Sequence, residues 1–236
     1  MDIDYAITFM SSDWIIANSL SLLYLIICLL IGKYSSKEFV KKFAIVFVYF
    51  FIIMYILFHY FHFVDGTWSL NKRLPLHLCG ISSLITCVIL FVDKKQFLFE
   101  FLFYAGILGG LNALLTPLID NFTGKNFFYF EYFYSHTSII ILPLYMYYFM
   151  DMRLSKYSWL KSFIFINVLL IIIMPIDFMI DANYMYLKNP PAVDHPLVAG
   201  DWPYYLVNLE FVVFFLLYFT YHIFNSPLLR LSLIHI

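Results

Sequence analysis

Charge is scarce in this chain. Its 236 residues hold 14 Lys and Arg against 15 Asp and Glu, so charged side chains make up 12% of the total while 63% are hydrophobic. Soluble domains carry about 25% charge, so this composition excludes an ordinary water-soluble domain and points to lipid as the solvent. A net charge of -1, with no basic face, excludes a nucleic-acid partner. Cysteine is rare too: Cys28, Cys79 and Cys87 are all there is, and the first and last fall deep inside apolar runs. That excludes a disulfide framework. The first residues carry Asp2, Asp4 and Asp13 but no Lys or Arg before Lys33. A secretory signal needs a positive start, so the first apolar run reads as a retained span. Alternating apolar and polar residues are missing as well, which excludes a membrane β-barrel.

What is present is a series of apolar runs of membrane-spanning length, about 20 residues each. They lie near Trp14–Gly32, Phe43–Phe63, Pro75–Val92, Phe97–Ile119, Tyr134–Met150, Leu160–Ile180 and Tyr204–Phe224. The fold expected is all-α: a polytopic bundle of about seven transmembrane helices forming one domain over residues 1–236. Aromatics, at 22%, suit lipid-facing and interfacial belts. The connecting loops differ in charge. Lys33, Lys37, Lys41, Lys42, Lys94, Lys95, Arg153, Lys156 and Lys161 fall in one set. The other set has only Lys72, Arg73, Lys125 and Lys188 and is richer in Asp. The positive-inside rule then places the N-terminus outside and the C-terminus in the cytoplasm.

With that orientation, chemically versatile residues gather at the outer level. The stretch "RLPLHLCGISSLITC" opens the third span with Arg73, His77 and Cys79. Cys79, Ser82, Ser83 and Thr86 share one helical face. His77 sits about 200° from Cys79 around the helix, a poor direct partner. Pro75 suits a first helical turn, leaving N–H groups free to meet an oxyanion. His136 opens the fifth span, Asn112 and Thr116 end the fourth, Asp177 ends the sixth, and Tyr204, Asn208 and Glu210 begin the seventh. His59 and His62 end the second, a weak metal-ligand pair. Ala105, Gly106, Gly109 and Gly110 allow close helix contact. Polar groups within a bilayer usually face a cavity or a partner, so a polar pocket open to the outer leaflet is expected. Each residue also has a plainer reading. A membrane cysteine is a small hydrophobe, and His136, Asn112 and Asn208 can be interhelical glue. Cys79 differs by its place at a helix start, where a thiolate is stabilised.

The last outer segment, "NYMYLKNPPAVDHPLVAGDWPYYLVNLE", interleaves aromatics with Pro and polar residues. Residues 181–203 read as an extracytoplasmic lid over the pocket, with Asn183 at its start and Trp202 and Tyr204 at the interface.

"LPLHLC", the Asn112–Pro117 run, "SH" at Ser135–His136 and this last segment resemble the YwaF-like bacterial integral membrane proteins, which are similar to transmembrane protein 164. The resemblance covers roughly Leu74 to Glu210. It implies acyl-chain chemistry, with Cys79 matching a catalytic cysteine and His136 the histidine to pair with it. It also implies residence in a bacterial plasma membrane.

The expected activity is a lipid acyltransferase. His136 would take the Cys79 proton, and the thiolate would attack a phospholipid ester. An acyl-thioester would pass its chain to a lysophospholipid hydroxyl. Arg73 or His77 would hold phosphate, amides near Gly80 with Asn112 the oxyanion, and Asp177 or Glu210 would orient His136. The partners are then membrane phospholipid and lysophospholipid, with no cofactor and no metal. Two alternatives stand beside it. A zinc-dependent membrane lipid hydrolase would use His59, His62, His77 and His136, although the seventh span lacks an H-x-x-x-H pair. A non-enzymatic transporter or lipid-binding scaffold would use Glu210 and Asn167, although no repeat relates the two halves.

Overall fold

The computed structural model describes residues 5–119, 126–191 and 200–226. Part of the expected lid (192–199), Lys125 and the C-terminal run 228–236 lie outside the described residues. The described residues form an all-α bundle, apart from one antiparallel pairing of Tyr5–Ala6 with Leu118–Ile119.

Two helices open the chain: α1 (Ser12–Tyr34) and α2 (Lys37–Val64). Serines start both. Ser11 accepts from the Trp14 amide and Ser36 from the Phe39 amide, each at 3.3 Å. Asp13 and Glu38 occupy the first turns, where the helix dipole favours negative charge. The outer faces of α1 and α2 leave Ile16, Leu20, Val46 and Ile56 more than half exposed. Such faces would be unstable in water and are ordinary in lipid.

The third run is shorter than expected. α3 covers Leu78–Val88 and tightens into a 3₁₀ turn at Ile89–Phe91. Its fourteen residues reach about 21 Å, short of a ~30 Å hydrocarbon core. Pro75 does not begin the helix. A helical turn at Leu70–Arg73 comes first, a turn at Pro75 and Leu76 follows, and His77 is the N-cap.

The fourth helix, α4 (Gln96–Leu115), contains a π-helical turn at Leu102–Gly106. It ends four residues before the expected Ile119, because Leu118 and Ile119 pair with the N-terminal strand. The fifth, α5 (Asn126–Phe149), starts well before the expected Tyr134. It is the central helix, packed against α1, α2 and α4, and Thr137–Pro143 is buried on every side. A helix buried all round presents no amphipathic stripe. Last come α6 (Ser158–Ile180) and α7 (Tyr204–Phe224), which pack on each other.

Among the described residues, α1, α2, α4, α6 and α7 are long and apolar enough to cross a membrane. Helices α3 and α5 fall on the two remaining apolar runs. The chain is a multi-pass helical membrane protein by architecture.

Candidate active site

A cavity of about 630 Å³ opens among α2 to α7. Three sequence-distant pieces build its polar end. The start of α3 supplies Cys79 and His77, the first half of α5 supplies His136, and the end of α4 supplies Asn112. Arg73 and Glu210 also line it. Six of the expected site residues therefore share one cavity.

Backbone groups set the chemistry of the two histidines. His136 Nδ1 lies 2.7 Å from the Tyr132 carbonyl oxygen. A carbonyl only accepts, so Nδ1 must carry the proton and donate it. Nε2 is left with its lone pair, the atom that can take a proton. His77 is the reverse. The Met185 amide donates to His77 Nδ1 at 3.1 Å, so the His77 proton sits on Nε2. One ring is thus a proton acceptor and the other a donor.

The segment after α6 sets this arrangement. Met185 and Tyr186 both have left-handed backbones, with φ of 54° and 58°. Non-glycine residues adopt that region at a cost, and it concentrates at functional sites. Here it aims the Met185 amide at His77. Tyr184, 1% exposed, locks the other side: its hydroxyl donates to the Leu70 carbonyl at 2.6 Å and accepts from the Leu74 amide at 2.9 Å. The rings of Tyr184 and Tyr186 flank His77 at 5.2 and 5.4 Å. So the segment after α6 grips the loop that enters α3, two to nine residues before Cys79.

Cys79 is the second residue of α3. No side chain caps that helix start, which lies at the end of the cavity where Cys79 sits. Positive potential at a helix N-terminus favours a thiolate. Gly80 makes the close approach possible, since a Cβ there would lie 3.0 Å from Pro75 Cα. None of the three cysteines forms a disulfide.

Other expected site residues have different work. Asp177, fully buried, accepts from the Tyr184 amide at 3.0 Å and does not line the cavity. It anchors the segment after α6 and does not orient His136; the backbone of Tyr132 does that. Glu210 lines the cavity but accepts from the Asn167 side chain at 3.0 Å, so it is not the orienting group either. Asn183 folds the segment after α6: its Oδ1 accepts from the Lys188 and Asn189 amides at 3.0 Å. Lys188 in turn pairs with Asp181 at 2.6 Å, holding that exposed carboxyl below its ordinary pKa. Trp202 donates to the Leu187 carbonyl at 3.1 Å, while Tyr204 and Asn208 are exposed and outside the cavity.

The profile of the TMEM164 family matches residues 8–221, which is most of the chain. This chain belongs to the TMEM164 family. No curated protein and no solved structure matches it. The family match includes every cavity-lining residue named above.

Two residues at or beside the cavity, Glu131 and Tyr184, escape a sequence reading. Glu131 and Arg73 are both buried, both line the cavity and lie within electrostatic reach of each other. Glu131 hides in "FFYFEYFY", an aromatic stretch that precedes the apolar run. A lone carboxylate in such a stretch is the one signal that marks it. Tyr184 looks like one aromatic among many; nothing local marks its two hydrogen bonds.

Proposed function

We propose that the chain is a lipid acyltransferase in which Cys79 is the nucleophile and His136 its base. One observation carries the reading: both residues line a cavity in which Tyr132 holds the His136 proton on Nδ1 and leaves Nε2 as acceptor.

His136 Nε2 takes the Cys79 thiol proton. The thiolate attacks the carbonyl carbon of a phospholipid ester, and the amides at the start of α3 with His77 Nε2–H stabilise the oxyanion. The tetrahedral species collapses and breaks the ester C–O bond. His136 returns its proton to the departing oxygen, which releases a lysolipid and leaves an acyl-thioester on Cys79. The hydroxyl of an acceptor lysophospholipid then attacks the thioester while His136 takes its proton. Collapse forms the new ester, and the proton goes back to the Cys79 sulfur. Arg73, stacked near the Phe58 ring at 5.8 Å, is suited to the lipid phosphate.

The hydrogen-bond pattern favours this dyad over a zinc hydrolase. A zinc-bound Nε2 needs a lone pair there. In His77, and in His59, which accepts from Trp68 Nε1–H at 3.1 Å, Nδ1 is the acceptor and Nε2 holds the proton. Among the described residues, no three His, Cys, Asp or Glu side chains group closely enough for a metal.

In this reading the protein lies in a bacterial plasma membrane with seven spans, its N-terminus outside and its C-terminus in the cytoplasm. Lipid access from the outer leaflet follows from that orientation. Labelling of single cysteines at Asp181 and Lys94 with an impermeant maleimide tests it, and reaction at Lys94 from outside intact cells contradicts it.

The activity test uses purified protein in liposomes with a phospholipid labelled on one acyl chain and an unlabelled lysophospholipid. Label should reach the acceptor, and a hydroxylamine-sensitive adduct should form on Cys79. Transfer that persists in Cys79→Ser refutes the mechanism.

A further inference from the structure

The four small residues of α4 divide into two kinds. A Cβ on Gly106 would lie 2.6 Å from the Ile139 carbonyl oxygen, and one on Gly110 would lie 2.7 Å from that of His136. Those two let α4 meet α5 backbone to backbone. Gly109 is different. A Cβ there meets nothing within 4 Å, yet Gly109 lines the cavity. Its missing side chain leaves open space, not a helix contact.

The space has direction. On α4 the cavity wall runs from Thr116 past Asn112 and Gly109 to Tyr104, away from the Cys79 end. Ile139, Ile166 and Leu217 are the deepest lining residues of their own helices. Tyr104 is fully buried with its hydroxyl 2.8 Å from Ser158 Oγ, so its polar atom is satisfied behind the wall. Along α7 the lining extends from Leu206 to Leu217, about 16 Å at 1.5 Å per residue. That is close to half of a ~30 Å hydrocarbon core, the reach of one leaflet's chain. The polar pair on this wall, Asn167 and Glu210, is closed on itself by a 3.0 Å hydrogen bond.

We propose that this deep, apolar part of the cavity binds one acyl chain of a membrane glycerolipid, and that Gly109 sets the bulk it admits. The proposal rests on the acyl-transfer reading, which puts the ester carbonyl beside Cys79 at the upper end. The chain then descends past Gly109 to the floor formed by Tyr104 and Leu217. A Cβ at position 109 would enter that path without meeting α5.

The test is photocrosslinking in nanodiscs, which needs no turnover. The probe is a phosphatidylcholine with a diazirine at either the methyl end or the carboxyl end of one chain. In the wild type, the methyl-end probe should mark peptides carrying Ala105 or Leu217, and the carboxyl-end probe those carrying Cys79 or His136. Gly109→Leu should cut methyl-end labelling there about tenfold, with Gly109→Ala intermediate and the unfolding midpoint unchanged. Methyl-end labelling confined to the exposed faces of α1 and α2 in the wild type overturns the proposal without any variant. So does undiminished Ala105 and Leu217 labelling in Gly109→Leu. The two readings separate cleanly. Labelling that follows Gly109 while transfer ignores Cys79→Ser keeps the chain site and removes the catalytic dyad. Transfer that needs Cys79 while Gly109→Leu keeps both rate and label does the reverse.

Discussion

His77 and His136 line the same cavity with their protons on opposite ring nitrogens. The Met185 amide donates to Nδ1 of His77, and Nδ1 of His136 donates to the Tyr132 carbonyl. A backbone amide and a backbone carbonyl thus do what a carboxylate does in a triad. The hydrogen bond of His136 Nδ1 goes to a carbonyl and not to a carboxylate, so in the acyl-transfer reading His136 hands its proton on within the same step. A thiol suits such a base, because its own pKa lies closer to that of imidazole than a hydroxyl's does.

Replacing His136 with Asn removes the acceptor nitrogen. Acyl transfer should fall by about 10²–10⁴-fold, the range for loss of a general base. Thioester formation on Cys79 should slow equally, since both half-reactions use the same nitrogen. Single-turnover labelling of Cys79 checks this. A variant that acylates at the wild-type rate but fails to transfer would assign His136 to the second step alone.

Tyr184→Phe keeps the ring and deletes the hydroxyl that joins the segment after α6 to the loop before α3. The Leu74 amide loses its acceptor and the Leu70 carbonyl its donor in a region where Tyr184 is 1% exposed. Leaving such groups unsatisfied costs about 1–3 kcal/mol. The unfolding midpoint in detergent should drop, and protease should cut the 181–191 segment faster. Asp177→Ala should give the same pattern, because its carboxylate holds the Tyr184 amide. If Asp177 oriented His136 instead, its loss would slow transfer at unchanged protection of that segment.

The positions of the helices were legible because lipid demands long apolar runs, and each run became a helix. The two that deviate do so for physical reasons. Helix α5 is buried all round over Thr137–Pro143, while its first half is Phe, Tyr and one buried Glu without a strongly apolar window. Helix α3 loses Pro75–His77 to a turn, where the Leu74 amide donates to the Tyr184 hydroxyl. The cavity residues Cys79, His77, His136, Asn112 and Glu210 were visible as polar groups at one depth. Their partners were not. Tyr132 and Met185 act through backbone atoms, which carry no sequence signature. The four small residues of α4 look alike in the chain, and only packing distinguishes Gly109 from Gly106 and Gly110.

Asn167 and Glu210 form a closed pair between α6 and α7. Asn167→Leu would leave a carboxylate within a span with no donor, and such a group is costly in hydrocarbon. The expected result is a loss of stability that Glu210→Leu in the same chain largely recovers, a coupling that a double-mutant cycle measures. Additive effects would instead give the two residues independent roles, as a proton path through the transporter reading requires of Glu210.

Gly80→Ala tests how tightly the α3 start is built. A Cβ there sits 3.0 Å from Pro75 Cα and 3.3 Å from Pro75 O. Both are backbone atoms of the loop that carries Arg73 and His77, so relief must come from a shift of a few tenths of an ångström in that loop. The burial lost is small, and the unfolding midpoint should move little. Catalysis is more sensitive, since a displacement of about 1 Å can cost about 10²-fold in rate. Transfer should therefore fall about tenfold while the protein remains folded and the His136 dyad is untouched. Measuring kcat and KM separately decides the cause. A fall in kcat points to the oxyanion amides and His77, which stabilise the transition state, whereas a rise in KM alone points to Arg73 and the lipid phosphate.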